Sequence, residues 1–417
     1  MNLKFMLITA ALIAAIVTVA ACAGTVPGAA TTGGGTIKIV SSYPLTGGDS
    51  ADGISMANSA KQALQDHGAK SGNYTLVYQS FDDASAAKGA WDGDIETSNA
   101  NKAVADPQVL LYLGTYNSGA AKLSIPILNQ AGPLVMLSGA NTYPGLTKAV
   151  ANVTTPDEPN KYYPTGVRNY ARVVPPDDIQ GVVDAAWMKE LGVTSVYVLH
   201  DQQAYGKGIA DVLNVAAPKY GIKVVGFEGI DTKATDFSAQ GTKVASSGAD
   251  AFYFGGVESS KGSLVWKAIK AAGFKGKMFG PDGLYTPNFI KGAGADAEGS
   301  YITYAGLPVD ELLKVPEAKK WHDEYVQMFG SEPTGYGSYG YEAALVGLKA
   351  IDACVAKNDV TRKCVRDQVF GLKDFKGIFG YSYSLDANGD TTASGISRNT
   401  IENGAFKFLG MAPPLGQ

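Results

Sequence analysis

From Thr36 onward, short runs of β-branched and aromatic residues alternate with longer stretches whose apolar positions recur every three to four residues. The short runs have the pattern of strands buried in a sheet, and the longer stretches that of helices with one apolar side. In chain order the pattern predicts strands over Ile37–Ser41, Tyr74–Ser80, Val109–Gly114, Leu134–Leu137, Ala171–Val174, Ser195–His200, Lys223–Phe227, Ala251–Phe254, Lys277–Phe279 and Ser300–Tyr304. It predicts helices over Gly53–His67, Ile179–Leu191, Gly206–Tyr220, Ser259–Ala272, Glu317–Phe329 and Tyr341–Ala356. This alternation is that of an α/β protein with parallel sheets covered by helices. A charged, Pro-rich segment, Ala151–Pro164, followed by ARVVPPDD, separates two similar βαβ series. The globular part is roughly 380 residues, too long for one core, so two lobes are expected.

Before Thr36 the composition changes. Met1-Asn2-Leu3-Lys4 precedes an apolar stretch, Phe5–Val19, and then Val19-Ala20-Ala21-Cys22. A positive start, an apolar core and a small-residue cleavage site make residues 1–21 an export signal. With a cysteine directly after the small residues it resembles a bacterial lipoprotein signal, which implies lipidation of Cys22 and an extracytoplasmic protein held to the membrane by that anchor alone. Residues 22–35 are almost all Gly, Ala and Thr, a flexible tether. The remaining cysteines, Cys354 and Cys364, either pair in an oxidising compartment as a helix–turn–helix staple or stay as two buried thiols. They do not complete a zinc site, which takes four ligands, and no metal or cofactor is expected. A net charge of −4 with no Lys/Arg cluster argues against nucleic acid.

In open α/β sheets, ligands bind at the carboxyl ends of strands. Four strand-end loops carry the candidate chemistry. Thr115-Tyr116-Asn117-Ser118-Gly119 leads into a helix, so Ser118 is either a carboxylate-binding hydroxyl beside free N–H groups or a plain N-cap. Ser138-Gly139-Ala140-Asn141-Thr142 is a second polar loop at the same edge, or simply a turn. In the second series, His200-Asp201-Gln202-Gln203-Ala204-Tyr205 puts an aromatic at the mouth of a helix, and Gly280-Pro281-Asp282-Gly283 places a carboxylate where it could meet an ammonium group.

These loops, with HDQQAYGKGIADVL, the pair DFSA and YFGG, GPDGLYTPNF with AEGSY after it, and LSGANTYPGLT, resemble the branched-chain amino-acid (Leu/Ile/Val) binding proteins of ABC importers. The resemblance runs from about Ile37 to past Gly389. It implies a type I periplasmic-binding fold, two Rossmann-like lobes joined by a three-stranded hinge, with 36–174 and 305–386 in the first lobe and 175–304 and 387–417 in the second. The hinge falls near Val173–Asp177, Tyr304–Gly306 and Asp386–Asp390. It further implies that Ser118, Ala140 and Thr142, with Asn117 beside them, hold a ligand α-carboxylate. Tyr205 closes over the ligand, Asp282 takes the ammonium where the family usually has Glu, and ABC permease subunits are the partners.

Two departures touch the ligand's side chain. Val257, followed by Glu258, stands where an aromatic usually follows the Gly-Gly pair, and Asp52 replaces a first-lobe aromatic. Asp52 and Glu258 either point to solvent or line the cleft, in which case the ligand should offer a donor or a positive charge. Tyr336, Tyr339 and Tyr341 are candidates to rebuild the wall. A branched aliphatic amino acid is the leading expectation. Short amides, urea-like molecules and aromatic acids are the alternatives, as is a ligand sensor feeding a separate receptor.

An enzyme is not expected. Three histidines, His67, His200 and His322, form no HExxH or metal cluster, and no GxSxG elbow occurs. Gly335, Gly337 and Gly340 spell GxGxxG but follow a helix rather than a strand, which suits a flexible lead-in to the helix near Tyr341 better than a dinucleotide site.

Overall fold

The computed structural model describes residues 34–414. The export signal, Cys22 and all of the tether but its last two residues lie outside the described residues. Two sheets organise the chain. The first, in order across the sheet, runs Lys70–Ser71, Tyr74–Asp82, Thr36–Tyr43, Val109–Gly114, Val135–Ser138, Tyr170–Arg172. All its strands are parallel except the two-residue edge. The second runs Lys223–Gly229, Ser195–His200, Ala251–Gly255, Lys277–Gly280, Tyr301–Ala305, Ile396–Glu402, Ala405–Met411. Its first five strands are parallel and its last two antiparallel.

Successive side chains of a strand face opposite ways, and here both faces are covered by helices. Ile39 and Leu111 therefore join one core while their neighbours Val40 and Tyr112 join another. In the second sheet Phe252 and Tyr253 divide in the same way. The strands Val109–Gly114 and Ser195–His200 fall where the pattern places them, because their apolar runs are continuous.

The strands Ile396–Glu402 and Ala405–Met411 escape the pattern. Ser397 and Asn399 are buried polar residues whose side chains donate to the carbonyls of Tyr304 and Ile302, so this strand has no apolar run to betray it.

The glycine motif is corrected. Gly335–Ala356 is one continuous helix, and the glycines belong to its first turns rather than to a flexible lead-in. It lies across the helix Ser50–Asp66 so closely that a Cβ at Gly340 would come 2.7 Å from the Cα of Met56. The glycines thus serve close helix packing. At the far end of the same helix, Cys354 and Cys364 are joined by a disulfide, with Cα atoms 5.9 Å apart, that pins the helix Arg362–Phe370 against it.

The chain leaves the first sheet after Arg172 and enters the second sheet's layer with the helix Asp177–Glu190. It leaves the second sheet after Ala305 and returns at Ile396. At these crossings the segments are tied together: Gly306 N–H donates to Gly395 O (2.9 Å) and Arg172 N–H to Gly389 O (2.8 Å).

Candidate ligand-binding cleft

The parallel strands of both sheets end at the same place, so their loops face one another. In the first lobe two loops are locked as a unit. Ser138 Oγ accepts the N–H groups of Ala140 (3.0 Å) and Asn141 (2.9 Å), and Asn141 Nδ2 donates to the carbonyls of Thr115 (2.8 Å) and Tyr116 (2.9 Å). These positioning residues were not singled out from the sequence, since Ser and Asn in a loop look like any turn. The helix Ser118–Asn129 begins with Ser118 as its first residue and Asn117 before it. Ser118 Oγ accepts from Tyr143 N–H at 3.3 Å, which leaves its own hydrogen free to donate. Thr142 is buried, and its hydroxyl lies beside the carboxyl of Asp177.

In the second lobe, Tyr205 is the second residue of the helix Ala204–Ala216. Its hydroxyl donates to Asp282 Oδ1 (2.5 Å) and accepts Gly283 N–H (2.9 Å). The hydroxyl of Tyr336, from a helix packed on the first lobe, donates to Asp282 Oδ2. A small cleft lies between these groups, lined by Tyr116, Asn117, Ala140, Tyr205, Val257, Gly283 and Tyr336.

The structure therefore brings Asn117, Ala140, Tyr205 and Val257 to one cavity, with Asp282 directly behind the two tyrosines. Asp52 is not solvated. It is 1 % exposed and accepts from Tyr116 Oη at 3.1 Å. Glu258 does not join them: its carboxylate accepts Ser263 N–H (2.9 Å) and Oγ–H (2.6 Å), bracing the start of the helix Gly262–Ala271. Of the three candidate tyrosines only Tyr336 reaches the cavity. Tyr339 donates to Ala305 O and Tyr341 to Asp66. His200 and Asp201 form no dyad, because His200 Nδ1 accepts from Gln202 N–H and Asp201 accepts from Gln203 N–H.

The lobes touch around the cavity. Asp49 of the first lobe accepts Ser259 N–H (3.0 Å) and Oγ–H (2.6 Å), Trp91 Nε1 donates to Gln203 (2.7 Å), and Asn288 donates to Gly48 O (2.8 Å). A Cβ at Gly48 would stand 2.7 Å from the Cα of Ser259. That atom cannot swing away, so Gly48→Ala should hold the lobes apart. We expect ligand affinity to fall about tenfold in calorimetry, with the melting temperature of the ligand-free protein unchanged.

Burial raises the carboxyls around the cleft. Asp282 and Asp49 rise above the usual range, Asp177 well above it, and Asp52 and Asp201 reach about 7. Asp184, buried against Tyr253 and Thr303, also rises to about 7. A carboxyl raised on folding binds more protons in the native state than in the unfolded chain. For Asp52, Asp184 and Asp201 that contribution is complete at low pH and is lost as pH climbs from about 4 to about 7, by at most about 4 kcal/mol per group. Glu158 works in the opposite sense. Although burial opposes ionisation, the hydroxyls of Tyr143 and Tyr162 hold it down to about 2, so its contribution disappears in acid. Calorimetric scans of the ligand-free protein should therefore give a higher melting temperature near pH 5 than near pH 8.

Two parallel-sheet lobes whose strand ends enclose a small polar cavity define a solute-binding protein of the type I periplasmic-binding fold. The family model of periplasmic binding proteins matches residues 36–395. The chain belongs to this family, among the Leu/Ile/Val-binding proteins, as a 30% identity with Leu/Ile/Val-binding protein homolog 3 of Brucella melitensis over 68% of that protein also shows. It is 28% identical to Leu/Ile/Val-binding protein homolog 2 of Brucella abortus, over 84% of this chain and 86% of that protein. It is 27% identical to an amino acid binding protein of Pseudomonas aeruginosa, over 76% and 78%. A leucine-binding protein of Thermotoga maritima superposes with a TM-score of 0.78 at 24% identity, covering 91% of this chain and 99% of that one. The family consists of solute-binding proteins that work outside the cytoplasm, and this chain is one of them rather than an enzyme.

Proposed function

We propose that this protein is an extracytoplasmic lipoprotein, anchored through Cys22, that captures an α-amino acid between its lobes and presents it to the permease subunits of an ABC importer. The observation that carries the ligand class is the polarity of the cavity's surroundings. On one side Ser118 begins a helix with its hydroxyl hydrogen free to donate, and Thr142 stands in the loop beside it, a setting for a carboxylate. On the other stands the buried carboxylate of Asp282, a setting for an ammonium. Ala140 supplies wall rather than a free donor, since its N–H is given to Ser138. The names of the matched relatives, Leu/Ile/Val-binding and amino acid binding, agree with this ligand class.

Closure follows from the contacts. A ligand resting on Ser118 and Thr142 meets Tyr205 and Asp282 only when the lobes come together, so binding favours the closed form that a permease would recognise. A thermal-shift screen of the purified protein against all amino acids, small amides and aromatic acids tests this reading. An α-amino acid should raise the melting temperature. Ser118→Ala should weaken it about 10- to 100-fold in calorimetry, the loss of one hydrogen bond to a charged group. Stabilisation only by molecules lacking an ammonium would overturn the reading.

A further inference from the structure

A second groove runs along the rim where the lobes meet, apart from the ligand cleft. Its walls come from both lobes. Lys88 and Trp91 stand on the short hairpin 84–91 of the first, and Thr232, Lys233, Ser259 and Lys261 on the loops 230–237 and 256–261 of the second. Its volume of about 550 Å³ has room for several side chains of a partner. Two of the interlobe contacts are made by its own wall residues, Trp91 donating to Gln203 and Ser259 to Asp49. The groove therefore exists only while the lobes are together.

Three lysines line it and no carboxylate does. Lys88 pairs with Asp92 at 3.0 Å, whereas Lys233 and Lys261 take part in no ion pair among the described residues. The carboxylates nearest them in sequence, Asp231 and Glu258, accept the backbone N–H groups of Lys233 and Ser263 at 2.9 Å instead. The chain as a whole carries a net charge of −4, so this basic lining is not the overflow of a basic protein. Like charges held along one groove repel, and an anionic segment laid between them removes that repulsion. The groove is concave and its wall includes the half-buried indole of Trp91, which suits a polypeptide rather than the flat face of a bilayer. Ile54, Leu123 and Leu264, large apolar side chains exposed to solvent, lie in the first two turns of helices that begin at the cleft mouth, and extend the same face.

We propose that this rim groove docks an acidic polypeptide segment of the partner that receives the solute, and does so only while the lobes are closed. This rests on the capture-and-presentation reading above and adds the chemistry by which the closed form is told from the open one. Lys233 and Lys261 supply the unpaired charge from the second lobe, and Lys88 and Trp91 complete the groove from the first.

The test is fluorescence anisotropy of a fluorescein-labelled hexaglutamate peptide with the purified protein at low salt, in the presence of the amino acid that most raises its melting temperature. The unaltered protein should bind the peptide. Lys233→Glu combined with Lys261→Glu should weaken that binding about tenfold or more, and added salt should weaken it in the unaltered protein. Gly48→Ala, which holds the lobes apart, should weaken it to a similar degree. Amino-acid affinity of the lysine variant should stay unchanged in calorimetry, since neither lysine lines the cleft. No peptide binding, or equal binding to the unaltered and charge-reversed proteins, overturns the inference. So does binding of vesicles of phosphatidylcholine and phosphatidylglycerol in place of the peptide, which would make the groove a membrane contact. Undiminished peptide binding in Gly48→Ala overturns the requirement for closure. Should no amino acid stabilise the protein, the capture reading falls, and peptide binding by the unaltered protein still decides whether the groove docks an acidic segment. If the double variant does not fold, Lys233→Glu alone, at an exposed position, gives the same comparison.

Discussion

Asp282→Ala should abolish amino-acid capture at micromolar concentrations while leaving a folded protein. Asp282 is positioned by the turn that follows the strand Lys277–Gly280, is 1 % exposed, and accepts two hydroxyls, from Tyr205 in its own lobe and from Tyr336 opposite. Those hydroxyls partly offset the burial that raises its carboxyl, so the group is arranged to be ionised when a cation arrives. Removing one member of a buried charge pair costs about 2–5 kcal/mol of binding, roughly a 30- to 5,000-fold rise in Kd by calorimetry. Much of that loss comes from the ligand ammonium, which would be dehydrated with no counter-charge. Asp282→Asn sharpens the result. It preserves an acceptor for the tyrosines and should melt close to the unaltered protein, yet bind nearly as poorly as the alanine variant. Full affinity in Asp282→Asn would show that no ammonium is read at this position.

The same residue shows how far the site was legible. A carboxylate in a strand-end loop announces itself by type and place, and so do a hydroxyl at a helix start and an aromatic after His200-Asp201. Asp282, Ser118 and Tyr205 are visible for that reason. What the sequence could not show is which carboxylates face inward. Asp52 and Glu258 have the same appearance, but Asp52 is enclosed beside Tyr116 and Glu258 is spent on Ser263. Asp52 lies in the helix Ser50–Asp66 and Glu258 in the turn before the helix Gly262–Ala271, and no local pattern encodes which neighbours each meets. Asp177 was passed over because Asp in the first turn of a helix is ordinary, and only tertiary packing buries it beside Thr142. The fold was more readily seen, since parallel strands buried on both faces need continuous apolar runs. It was missed where a buried strand is polar, as at Ser397 and Asn399, where glycine serves packing rather than turning, as at Gly340, and where a helix buries only a few small or polar residues, as in Gly93–Ala105 and Ser238–Ser246.

Arg172→Ala is the substitution with the largest expected effect on stability. The side chain is fully buried and every polar edge is used: Nε donates to Asp390 at 2.7 Å, Nη1 to the carbonyls of Asn141 and Tyr143 at 3.0 and 2.9 Å, and Nη2 to Thr147 Oγ1 at 2.5 Å. It thus joins the last strand of the first sheet to the loop that carries Ala140 and Thr142, and both to the segment by which the chain returns to the second sheet. Truncation would leave Asp390, 4 % exposed, with Lys148 at 3.3 Å as its remaining cation, and would take the closest donor from two buried carbonyls, leaving them only the 3.4 Å contacts from Tyr170 Oη and Leu146 N–H. Breaking a buried pair on one side costs about 3–5 kcal/mol, which should appear as a lower denaturant midpoint with an unchanged slope. Replacing both partners with apolar residues, Arg172→Met with Asp390→Leu, should recover part of that loss, since no uncompensated charge then remains. It should not recover binding, because the two carbonyls that shape the Ala140–Thr142 loop still lack their closest donor, the Arg172 guanidinium. A double variant as stable as the unaltered protein but weaker in capture would separate the two roles of Arg172, bracing the crossing and shaping the cleft.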